Sequence, residues 1–200
     1  MDAFILIVLA IVLRLSAGVR YFVATCKGTV RPNPVTWLFW GIAPLIAALA
    51  QFQHGYTPVT ATTLALSLGP LAIFVAALRV KGRHWRIGAF DIACGAFAAA
   101  GIILWQITSD PVVALVFGIL ADIAGGIPTV RKAYIAPRTE EALPYILSAI
   151  SMVLTVCTVR DWQFINYGFP VYIFGINALI ALILITRIKA TAKQFRKPTR

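Results

Sequence analysis

The chain has 200 residues, 60% of them hydrophobic and 12% charged, with a mean hydropathy of +0.86 and a net charge of +11. So apolar a chain leaves too few polar groups to cover a water-soluble globule, which excludes that class. The apolar runs are continuous, whereas a transmembrane barrel would need short alternating strands.

Several of the runs reach the roughly 20 residues that cross a bilayer as a helix. The sequence predicts helices at 3–25, 34–52, 60–78, 87–107, 111–130, 143–159 and 165–185. The first holds Arg14 near its middle and Gly18 beyond it. Its basic residues follow the apolar stretch instead of preceding it, so it is expected to stay in place and not be cleaved as a signal. Pro32 and Pro34 open the second helix, which carries Trp37 and Trp40 three apart on one face. The fourth begins close to Asp91. Asp122, Gly125, Gly126 and Pro128 fall in the fifth, and Pro144 starts the sixth. Asn177 lies in the seventh, which has no lysine between 165 and 185 for a retinal Schiff base. Connections are short, so the chain reads as one membrane domain.

The second trio of helices echoes the first at an offset of 108 positions. Arg79-Val80-Lys81 falls on Arg187-Ile188-Lys189, and Arg14 falls on Asp122. This predicts an all-α polytopic membrane protein of seven transmembrane helices in a 3+1+3 parallel repeat. The expected division is a first repeat at 1–80, a linker helix at 81–110, a second repeat at 111–189 and a basic tail at 190–200.

Sixteen of the 18 Lys and Arg residues fall in the joints after helices 1, 3 and 5 or in the tail. The opposite linkers hold only Arg160. Cytoplasmic loops retain Lys and Arg, so the N-terminus is expected outside and the C-terminus in the cytoplasm. The same placement accounts for the net charge and argues against nucleic acid as a partner. The tail from Thr186 to Arg200 can also rest on anionic lipid.

Arg14 and Asp122 are the charges that resist their surroundings. A charge at the bilayer centre is costly and should face protein or a water-filled cavity. Equivalent positions in parallel repeats lie at equal depth across a pseudo-two-fold axis, so the pair is expected to face one another across a central cavity. There it binds or gates a polar or charged solute, or holds the halves in register as a structural ion pair. Asp91 is shallower and is expected to pair with Arg86 or His84, or to cap polar groups. Trp37 reads as an interfacial anchor, and Trp40, one turn deeper, as a cavity residue. Pro128 sits near the end of its helix, where it removes a backbone bond, and with the adjacent glycines it forms a candidate hinge. Pro34 and Pro144 are hinge candidates too, but ordinary first-turn capping explains them without any motion. Cys26, Cys94 and Cys157 show no metal or disulfide spacing. His54 and His84 lie on opposite faces and cannot share a metal. No cofactor, metal or enzymatic signature is expected.

The residues Pro128-Thr129-Val130-Arg131-Lys132-Ala133-Tyr134, with Thr139-Glu140-Glu141 after them, resemble the signature stretch of the PQ-loop superfamily. That superfamily includes the SWEET sugar transporters, cystinosin-like exporters and KDEL-type receptors. Arg31-Pro32-Asn33-Pro34-Val35-Thr36-Trp37 stands in the equivalent joint of the first repeat. Thr129 replaces the motif glutamine, and Arg20-Tyr21 stands where Pro-Gln would be. The resemblance implies a divergent prokaryotic member in the inner membrane, with the two bundles rocking around a central site. Asn177 is similar to a SWEET substrate-site asparagine, and its counterpart is Gly69. The expected activity is alternating-access transport or facilitation of a small polar or charged solute. Arg14, Asp122, Asn177 and Trp40 are its candidate binding residues, and Pro34, Pro128 and Pro144 its candidate hinges. With Arg14 and Asp122 at the centre, an amino acid or other charged metabolite fits better than a sugar. The alternative is a non-transporting receptor or assembly factor. The expected partners are a small solute and membrane lipid, and a homo-oligomer is open.

Overall fold

A computed structural model describes residues 3–53, 58–80, 85–107 and 111–194. His54, Lys81, Arg83, His84 and the last six residues lie outside them, so the expectations on these positions are not addressed. Seven α-helices and one short 3-10 turn, Pro137–Thr139, are present among the described residues, with no strand. The helices are α1 (Ala3–Lys27), α2 (Pro34–Gln53), α3 (Pro58–Arg79), α4 (Ala89–Ile107), α5 (Pro111–Ile135), α6 (Ala142–Val156) and α7 (Phe164–Gln194).

Local chemistry sets several of these boundaries. Gly28 ends α1 with a φ of 71°, a left-handed conformation open to glycine at little cost. The amides of Gly28 and Thr29 then bond back to the carbonyls of Thr25 and Ala24, closing a Schellman motif. Asn33 caps α2 by accepting the Val35 amide at 3.0 Å, with Pro34 at the first helical position. Two helices outrun the sequence expectation. The fifth continues past Val130 through Arg131, Lys132 and Ala133, all good helix formers, to Ile135. The seventh continues through the Lys- and Ala-rich stretch to Gln194. Conversely, α6 stops at Val156, and Cys157, Thr158 and Val159 bond back to its last carbonyls.

The two trios are packed alike. Within the first, α3 runs along both α1 and α2, whose own backbones stay apart; α7 does the same between α5 and α6. Across the trios, α1 packs on α6 and α2 on α5. The fourth helix lies along α5 and reaches α2. It comes close because Gly101 carries no side chain: a Cβ there would sit 2.9 Å from that of Ala121. The joints 28–33, 85–88 and 136–141 gather at one end, which we term the basic end. Arg31 donates its amide to the Thr139 carbonyl at 2.8 Å, and Trp85 to that of Pro32 at 3.1 Å.

Two helical segments, Phe4–Lys27 and Asn166–Ile188, are long and apolar enough to cross a membrane by length and composition. Large apolar side chains stand on the outside: Phe4, Phe97 and Ile107 are each more than 70% exposed. Buried side chains concentrate between the trios, around Tyr21, Ile73, Tyr145, Ile180 and Leu184.

Candidate functional site

A cavity of about 300 Å³ lies between the trios, walled by α1, α2, α3, α5, α6 and α7. Arg14, Asp122, Trp40 and Asn177 all line it, and so does Pro144. Pro34 and Pro128 do not. The expected central pair is therefore brought to one space, but not into contact. Among the described residues, the only salt bridges within 4.0 Å are Arg20–Glu141 and Lys132–Glu140.

Each central charge is held instead by a neutral partner. The Arg14 Nη1 donates to Ser148 Oγ at 2.9 Å, and Tyr172 donates its hydroxyl to Asp122 Oδ2 at 2.6 Å. Trp40 Nε1 donates to the Asp122 backbone carbonyl at 3.3 Å. Position 148 is 108 beyond 40, and 122 is 108 beyond 14. The two inter-trio bonds thus join equivalent positions, one through side chains and one through an indole and a backbone oxygen. The Trp40 indole lies on Gly126, where a Cβ would fall 3.2 Å from Cζ2, and Gly125 admits Phe39 in the same way. These glycines therefore set the α2–α5 approach, a role that the hinge expectation did not include. Asn177 is buried and donates one of its two side-chain amide hydrogens to the Ile173 carbonyl of its own helix at 2.8 Å.

At the basic end the cavity has an aromatic floor. Tyr21 packs on Trp37 at a tilt of 42° with centroids 4.4 Å apart, meets Tyr145 edge-on at 6.1 Å, and Trp37 meets Trp40 at 5.4 Å. Trp37 is 7% exposed, which overturns its reading as an interfacial anchor. Beneath the floor, Glu140 accepts the hydroxyls of Tyr21 at 2.7 Å and Tyr145 at 3.1 Å on one oxygen. Its other oxygen pairs with the buried Lys132 ammonium, which also donates to the Arg31 carbonyl. Arg20 pairs with Glu141 nearby. This cluster fastens the 28–33 joint of one trio to the 136–141 joint of the other.

No family model, curated protein or solved structure matches this chain. The geometry alone therefore carries the functional reading.

The remaining expected residues are placed as follows. Pro34 begins α2, and Pro144 lies in the first turn of α6, where a missing N–H costs little. Pro128 lies inside α5, which continues past it with the Ala124 carbonyl deprived of its usual donor. Asp91 is buried and accepts from Asn33 Nδ2 at 2.8 Å and the Gly88 amide at 2.7 Å, so it caps polar groups and does not pair with Arg86. Sequence reasoning missed Tyr172, Ser148 as a direct partner, the Tyr21–Tyr145–Glu140–Lys132 cluster, and Pro44 and Pro70, which also line the cavity. One signal for the floor was available: Tyr145 stands 108 positions beyond Trp37, so both trios put an aromatic ring at that depth.

Proposed function

We propose that this chain is a seven-span membrane protein, N-terminus outside and C-terminus cytoplasmic, that moves a small polar or charged solute by alternating access. The basic end is then the cytoplasmic end. One observation carries the reading: a cavity between two similarly packed trios contains an arginine and an aspartate at equivalent positions, neither neutralised by the other. Charges in such a place are expected to serve a pathway or a ligand. Below them, the aromatic floor and the Glu140–Lys132 cluster close the cytoplasmic side and form its gate. Rocking of one trio against the other, with Pro128 relieving α5, opens it. The PQ-loop resemblance agrees with this layout.

The test is uptake by purified protein reconstituted into sealed vesicles, using a panel of radiolabelled sugars, amino acids and small organic ions. Accumulation above protein-free vesicles, abolished by Asp122→Asn, is the expected outcome. Binding of a panel member without uptake would favour the receptor reading, and neither binding nor uptake would overturn the transporter reading.

A further inference from the structure

We propose that the solute is a zwitterion of amino-acid size, its carboxylate taken by Arg14 and its ammonium group by Asp122. The inference rests on the transporter reading and narrows it to a substrate class. A guanidinium offers five donors, and among the described residues Arg14 makes one hydrogen bond, to Ser148. A carboxylate offers about four acceptor sites, and among the described residues the Asp122 carboxylate receives one hydrogen bond, from Tyr172, the Trp40 indole going to the backbone carbonyl. Both groups thus keep hydrogen-bonding capacity toward the shared cavity. Much of the remaining wall is apolar, including Pro44, Leu66, Pro70 and Ile173.

Those walls decide between ligand classes. An anion would satisfy Arg14 while facing Asp122 as a like charge, and a cation would do the reverse. A sugar needs polar partners around its whole rim, which apolar walls do not supply. A zwitterion brings both countercharges at once and turns its apolar body to the walls. It also fills Arg14 and Asp122 without requiring them to touch, consistent with their separation beyond 4.0 Å. The volume of about 300 Å³ is at the lower end for small-ligand pockets and suits a compact molecule.

The experiment uses the full-length protein in sealed vesicles and radiolabelled neutral L-amino acids. The best-transported one is then challenged with its own amide, which keeps only the positive charge, and its 2-hydroxy acid analogue, which keeps only the negative one. Both analogues are expected to compete at least about tenfold more weakly than the parent. Arg14→Gln and Asp122→Asn are each expected to lose uptake. Because the analogues act on the wild type, a variant that fails to fold does not blunt the test. Equal competition by amide or hydroxy acid, or transport restricted to sugars or simple ions, would overturn the zwitterion while leaving the transporter reading intact. A zwitterion that raises the melting temperature but is never accumulated would keep the ligand class and overturn transport. No uptake and no stabilisation by any panel member would overturn both.

Discussion

Arg14 and Asp122 occupy the same cavity, yet each leans on a hydroxyl. Such bonds are easily exchanged for those of a ligand, which a tight buried ion pair would resist. Tyr172 is the donor that fixes the Asp122 carboxylate. Tyr172→Phe removes it with little change of shape and leaves an acceptor short of a partner. The expected cost is about 1–3 kcal/mol, read as a lower melting temperature in detergent. An unchanged melting point would mean that the carboxylate is satisfied otherwise. Gly126 presents the opposite case, a position defined by what it lacks. Gly126→Leu would drive a side chain into the Trp40 indole and is expected to destabilise by about 1–3 kcal/mol or more, measured in the same way. Gly118, with nothing within 4 Å of a Cβ, is the control expected to tolerate Ala. Arg14 and Asp122 were legible in the sequence because a charge inside an apolar run must face protein or a water-filled cavity, although the sequence leaves open whether they act as ligands or as a structural pair. Their partners were not: Ser148 and Tyr172 are ordinary residues whose azimuth on a helix depends on packing, which no run of hydrophobicity encodes.

At the scale of elements, the closed end depends on residues that the sequence disguises as topology. Lys132 counts among the basic residues of a joint, but the structure buries it completely against Glu140. Nothing local distinguishes it from Arg131, its exposed neighbour one position earlier. The boundary was misplaced for the same reason: a predicted end at Val130 leaves Lys132 in a loop, whereas the extended α5 carries it inward. Breaking a buried pair by removing one charge is costly, and removing both is much less so. Glu140→Gln is therefore expected to lose about 3–5 kcal/mol of stability by stranding the Lys132 ammonium, and adding Lys132→Met to recover part of it, the amide oxygen of the glutamine still accepting from Tyr21 and Tyr145. Thermal melts of the single and double variants test this. A loss in the double variant equal to the sum of the two single losses would show that the two residues act independently. The two inter-trio seams also differ in kind. The α1–α6 seam holds by hydroxyls, Arg14 to Ser148 and Ser151 to the Ala10 carbonyl at 2.7 Å. The α2–α5 seam holds chiefly by rings seated on glycines, with a long Trp40 indole bond to the Asp122 carbonyl at 3.3 Å. Hydroxyl bonds exchange with water or ligand at small net cost, and close packing does not, so the α1–α6 seam is the one expected to yield first.

For the whole molecule, the order and number of helices followed from seven apolar runs, and the similar packing of the trios from a repeat visible at one offset. The cavity itself was an inference from symmetry, and its floor was not foreseen. Orientation has a test already built into the chain. Cys26 and Cys157 are both free and exposed, at the basic end of α1 and the far end of α6 respectively. In intact cells a membrane-impermeant maleimide is expected to label Cys157 alone, with Cys26 reacting only after permeabilisation. The reverse pattern would invert the proposed topology.

The length of α7 has a mechanical consequence. Its 31 residues measure about 46 Å at 1.5 Å per residue, against roughly 30 Å of hydrocarbon. The surplus includes its last turns, and just before them Arg187 ties α7 to α5 by stacking 4.1 Å from the Tyr134 ring and donating to the Tyr134 carbonyl at 3.2 Å. Two helices of one trio are thus yoked near the basic end, and in the proposed membrane arrangement the turns of α7 that follow form a lever arm. A tilt of about 10° around the middle of α7 would carry its tip through about 4 Å. Events around a buried carboxylate would then be legible to a spectroscopic label in open water, without any probe entering the cavity.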